Sequence, residues 1–96
     1  MACHYIFLKD EQEFNQKLIK RDFDLIQKMT KCVVSAIQRK KEKIDIFEVT
    51  FKDGNTITFS MDKNEYKNFL EKSLNDFVQE EMYEYCSELK KIIDKL

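Results

Sequence analysis

The sequence predicts a small α+β domain of order β-α-β-β-α, in which two long helices pack on a two- or three-stranded antiparallel sheet. Three observations carry this. The apolar spacing switches from three-and-four to strict alternation and back again. The single Gly falls between the two alternating stretches. There is no Pro anywhere, so few turns interrupt the regular elements. Ninety-six residues suit one domain spanning 1–96 with one modest core.

Residues 3–8, Cys-His-Tyr-Ile-Phe-Leu, make a short β-prone run and a first strand. Asp10, with Glu13 three residues on, supplies the acceptors that free amides at a helix start need, so a helix begins near Glu11. Its pattern runs to about Lys41 through Phe14, Leu18, Ile19, Phe23, Leu25, Ile26, Met29, Cys32, Val33, Ala36 and Ile37. That apolar face suits a core-facing helix.

Residues 44–52 and 55–61 alternate. Phe47, Val49 and Phe51 share one side of the first strand; Ile57, Phe59 and Met61 share one side of the second. A two-residue Asp53-Gly54 loop would oppose apolar and polar faces. A three-residue Lys52-Asp53-Gly54 turn with left-handed Gly54 pairs Val49 with Ile57 and Phe47 with Phe59, which puts both apolar sets together. Asp62 and Glu65 repeat the helix-start signal. A second helical pattern then runs to the C-terminus, with Ser73-Leu74-Asn75-Asp76 a place where it can break and cap anew.

Formal net charge is −1, but it is unevenly spread. Residues 1–43 hold ten Lys/Arg against six Asp/Glu; residues 44–96 hold seven against twelve. Cys3, Cys32 and Cys86 are an odd set with no disulfide framework apparent, and Cys32 and Cys86 read as reduced core thiols. No segment has the length of a membrane span, and no leader or lipidation motif is evident, so the expected location is the cytoplasm of the source cell or a host cell.

Nothing in the spacing of the residues points to an enzyme. His4 is the only His and stands beside Cys3, but no zinc-type spacing surrounds it, and neither a Gly-rich phosphate loop nor a nucleophile elbow occurs. Neither a cofactor nor a metal is called for.

Geometry supplies the functional expectation. Helices of about 31 residues or more extend roughly 46–50 Å, while six-residue strands span about 20 Å. Either the helices bend and pack on one another, or their overhang docks on a second chain, most simply in a homodimer. The stripe available for that is Val78, Met82, Tyr85, Leu89, Ile92 and Leu96. Beside it runs an acidic row, Asp76, Glu80, Glu81, Glu84 and Glu88, in a stretch, 76–88, that has no Lys or Arg. Such a row suits a protein partner with a basic surface. The expected function is therefore a non-catalytic protein-binding regulatory or inhibitory module, of the kind phage-encoded inhibitors and some antitoxins represent. The alternative is a small nucleic-acid-binding protein using the first helix: Lys17, Lys20, Arg21, Lys28, Lys31, Arg39, Lys40 and Lys41 could follow phosphates, although Asp22 and Asp24 interrupt them.

Overall fold

The computed structural model describes residues 2–96 and confirms the α+β class, with seven elements in place of five. In chain order they are β1 (His4–Leu8), α1 (Glu11–Ile19), α2 (Phe23–Gln38), β2 (Lys43–Phe51), β3 (Thr56–Asp62), α3 (Lys63–Gln79) and α4 (Tyr83–Asp94).

The hairpin forms in the register that face-matching demands. Phe47 pairs with Phe59 and Val49 with Ile57. Gly54 sits at φ 93°, its N–H donating to the Phe51 carbonyl at 2.9 Å, while the Phe51 N–H donates to the Asn55 carbonyl at 2.8 Å. This is the three-residue turn with a glycine bulge. A second irregularity lies between Asp45 and Phe47. It inserts Ile46, so that Ile44 and Ile46 before the step and Phe47, Val49 and Phe51 after it are all buried.

The sheet itself is mixed, not antiparallel. Its order is β1-β2-β3; β3 runs antiparallel to β2, but β1 runs parallel, with His4 beside Phe47 and Leu8 beside Phe51. The α1–α2 connection is long enough to return the chain to the opposite end of the sheet, which a parallel pair requires.

Both long helices are broken. At the first break Arg21 takes φ 52°; its N–H reaches the Leu18 carbonyl and the Asp22 N–H reaches Lys17. At the second Glu81 takes φ 59°; its N–H reaches Val78 and the Met82 N–H reaches Phe77. Lys40, at φ 57°, ends α2 in the same manner. These are Schellman endings built without glycine. The second break comes at 80–82, after the Ser73–Asp76 segment, which stays inside α3 with Ser73 fully buried. With both helices folded, the longest dimension is 42 Å, shorter than either helix would be if straight.

The core lies between the helices and one face of the sheet. Phe47 and Phe59 stack at 6.4 Å, and Phe14 of α1 meets both edge-on. Where the two elbows approach, Phe77 is buried between Phe23 at 5.1 Å and Tyr85 at 4.7 Å. Burying a side chain of this size stabilises by about 2–3 kcal/mol.

Cys3 and Cys32 form a disulfide, which overturns the reading of Cys32 as a reduced thiol; Cys86 alone is free, and it is buried. Local pattern placed Cys32 correctly on the buried side of α2. The parallel return of β2 beside β1 is what brings that side of α2 to Cys3, with the two Cα atoms 6.4 Å apart.

Candidate functional site at the α3–α4 elbow

The acidic row survives as a cluster, not as a straight line. Glu80 caps the end of α3, Glu81 occupies the left-handed position, and Glu84 and Glu88 lie one turn apart on α4. The elbow turns the helix axis between Glu80 and Glu84, so the even rise expected of one continuous helix does not occur. Asp76 leaves the row altogether. It accepts hydrogen bonds from Arg21 Nε at 2.9 and 3.1 Å and from Arg21 Nη2, which ties α3 to the α1–α2 elbow.

Glu81, Glu84 and Glu88 instead surround a shallow cavity of about 510 Å³ together with Met82, Tyr83 and Tyr85. All four glutamates, including Glu80, are exposed, and none enters a salt bridge among the described residues. Tyr83 is 62% exposed, so its ring is open to solvent beside them. Tyr85 is half-buried; burial, and secondly the Glu88 carboxylate, push its hydroxyl above the ordinary phenol range. Uncompensated carboxylates beside open aromatic rings attract a cationic side chain, the rings adding a cation–π component of about 0.5–1 kcal/mol at an exposed site.

The apolar stripe is largely absorbed by its own chain. Leu89 is fully buried and Met82, Tyr85 and Ile92 are half-buried against the core. This corrects the expectation of a continuous docking stripe. With α4 folded back along α3, Leu96 lies at the far end of α3, lining a cleft with Ile37 and Tyr66 and set apart from the elbow. Only Val78 and Leu96 stay substantially exposed, at 44% and 45%.

The basic stripe is likewise broken up. Lys17 pairs with Asp22 at 3.1 Å, Lys28 with Asp24 at 3.1 Å, and Arg21 with Asp76. Lys20 and Lys31 are exposed, and Arg39, Lys40 and Lys41 gather at the end of α2, separated from Lys17 by the length of that helix. Asp22 and Asp24, the acids that interrupted the stripe in the sequence, neutralise two of its cations, and Asp76 neutralises a third. Tyr83 is the lining residue the sequence did not single out; it falls outside the four-and-three spacing of the stripe, which is why it remains exposed.

His4 packs its ring 5.9 Å from Phe47. Among the described residues no three His, Cys, Asp or Glu side chains stand close enough to hold a metal ion. Among the described residues no helix is long and apolar enough to cross a membrane. Comparison of the chain with models of protein families, with curated proteins and with solved structures finds no match.

Proposed function

We propose that the protein is a non-catalytic binding module whose α3–α4 elbow receives a basic segment of a protein partner, acting as a regulator or inhibitor of it. The observation that carries this reading is the set of Glu81, Glu84 and Glu88 around one cavity with Tyr83 and Tyr85, without a counter-ion among the described residues. Like charges at helical spacing cost a few tenths of a kcal/mol per pair. A cationic partner removes that cost and gains charge-assisted hydrogen bonds. The nucleic-acid alternative has less support, because three of its eight cations are already paired within the chain.

The Cys3–Cys32 disulfide bears on location. Such bonds persist in oxidising surroundings and are rare in the cytosol. The oxidised form therefore suits an oxidising compartment better than the cytoplasm expected from the sequence.

Titration of the isotope-labelled protein with a nona-arginine peptide, followed by amide chemical shifts, tests the elbow. The expected result is saturable shifts across residues 80–88, lost in the E81Q/E84Q/E88Q variant and absent with a nona-glutamate peptide. No shift there at about 1 mM peptide, which corresponds to binding weaker than about −4 kcal/mol, overturns the reading.

A further inference from the structure

β1 is an edge strand, and its open face carries the largest exposed apolar side chains of the sheet: Tyr5 at 58% and Phe7 at 80%. The corresponding positions of β3, the other edge, are Thr56 and Thr58. Edge strands are ordinarily guarded by Lys, Pro, a bulge or a covering element. From Cys3 to Leu8 there is no charged residue and no Pro, and the bulge of this sheet lies between Asp45 and Phe47 of β2.

The backbone groups that β1 leaves free follow from its neighbour. Phe51 exchanges hydrogen bonds with the β3 side of the turn, so its N–H and C=O face β3. Alternation along β2 gives Val49 and Phe47 the same direction and turns Glu48 and Thr50 toward β1. The Lys52 N–H also points toward the β1 side, reaching the Lys9 carbonyl; that bond and the one from the Cys3 N–H to the Asp45 carbonyl lie beyond the two ends of the regular His4–Leu8 ladder. In the observed parallel register, with Ile6 beside Val49, the groups that answer Glu48 and Thr50 are those of His4, Ile6 and Leu8. Tyr5 and Phe7, which alternate with them, therefore point their N–H and C=O outward, away from β2.

We propose that β1 is a self-association edge. Two copies of the chain pair their β1 strands antiparallel about a two-fold axis at Ile6, with Tyr5 of each opposite the partner's Phe7, giving one continuous six-stranded sheet.

A second copy fits this edge for stated reasons. Antiparallel pairing must oppose residues of like face, so only registers centred on residue 5, 6 or 7 keep the open faces together. Centring on Tyr5 or on Phe7 closes a single hydrogen-bonded pair within the strands. Centring on Ile6 joins Tyr5 to the partner's Phe7 twice over, satisfying all four free groups of each chain. It also assembles four aromatic rings in stabilising cross-strand pairs. The interface is isologous and closes at two copies. It is separate from the acidic elbow and stands or falls without it.

Sedimentation equilibrium and amide hydrogen exchange on the full chain test the inference together. The expected mass rises from 11.6 kDa toward twice that value with concentration. In the same range the Tyr5 and Phe7 amides pass from fast to slow exchange, whereas Ile6 and Leu8 are protected at every concentration by β2. Y5K/F7K sets ammonium against ammonium and weakens the dimer at least tenfold. Y5E/F7K sets carboxylate against ammonium in the Ile6-centred register only, and restores it. A chain that stays monomeric at about 200 μM, weaker than about −5 kcal/mol, overturns the proposal. So does a dimer in which the Tyr5 and Phe7 amides exchange freely. Both of those readings use the unmodified protein, so they decide the matter even where a variant fails to fold.

Discussion

Arg21 and Asp76, 55 residues apart in the chain, meet in a two-pronged ion pair that locks the α1–α2 elbow onto α3. Arg21 is also the left-handed residue that ends α1, so one side chain and one backbone conformation serve the same joint. Asp76 is the less exposed partner, at 17% against 37% for Arg21. Losing either partner is expected to destabilise the fold by about 1–2 kcal/mol, with a coupling of about 1 kcal/mol in a double-mutant cycle of R21A and D76A measured by urea unfolding. A coupling of zero would mean that the joint is held by Phe23, Phe77 and Tyr85 alone.

The pair at the start of α2 makes stability depend on pH. Asp22 accepts from Lys17 Nζ at 3.1 Å and from the Asp24 and Leu25 amides at 3.0 and 3.5 Å. The Lys17 hydrogen bond, helped by those amides, holds the Asp22 carboxyl below the ordinary carboxylate range. The Asp22 bond in turn holds the Lys17 ammonium above the ordinary lysine range. A depressed acid contributes in full above its unfolded value and loses its contribution as pH falls through the folded one. The raised lysine contributes in full below its unfolded value and loses its contribution as pH rises through the folded one. Stability from this pair is thus a plateau between the two ranges. D22N keeps a capping oxygen but cannot titrate there, so thermal melts across acidic pH are expected to show a shallower fall than wild type.

Lys40 is exposed, enters no salt bridge among the described residues, and sits at φ 57°. A left-handed L-residue carries steric strain of about 1–2 kcal/mol, partly offset by the greater freedom glycine brings to the unfolded chain. K40G is expected to stabilise by about 0.5–1 kcal/mol, read as a higher denaturant midpoint at unchanged slope.

The disulfide spans a sequence separation of 29 residues, from the exposed Cys3 to the buried Cys32. Closing a loop of that size is expected to stabilise by about 3–4 kcal/mol through the unfolded state. Reduction of the native protein should lower its melting temperature. Thiol titration of the denatured, unreduced chain should find Cys86 alone. Three titratable thiols would contradict the Cys3–Cys32 bond.

Ser73 is fully buried in α3, and its Oγ has no hydrogen-bond partner among the described residues. Thr30 is as deeply buried but donates to the Ile26 carbonyl at 2.7 Å. S73A is expected to be neutral or stabilising by about 1 kcal/mol, and T30V mildly destabilising, since only the threonine's removal breaks a hydrogen bond, while the Ile26 carbonyl keeps its helical bond to the Thr30 N–H.

Much of the local structure is legible in the residues. The hairpin register needs only the requirement that two apolar faces coincide, and Gly54 is the one residue that takes the left-handed position of that turn without strain. Asp10 accepts from the Glu13 amide at 2.9 Å, and Glu65 accepts from the Asp62 amide at 3.1 Å, as the spacing of acids at both helix starts anticipates. Ile44, Ile46 and then Phe47 carry a one-residue slip in the alternation, which is the signature of the bulge between them. The acidic cluster was visible as composition, but its gathering around Tyr83 was not, because the elbow that gathers it is closed by Glu81, a residue type that gives no local stop signal.

The chain alone therefore determined its element types, its hairpin register and the starts of α1 and α3, all of which depend on contacts within a few residues. The tertiary structure alone decided the direction of β1, the elbows at Arg21 and Glu81, and the Cys3–Cys32 bond. Each of these puts local strain or a long loop against burial of surface that comes from elsewhere in the chain. A left-handed residue costing about 1–2 kcal/mol is tolerated when folding the helix back buries a Leu89 or a Phe77, and no pattern confined to the helix itself records that exchange.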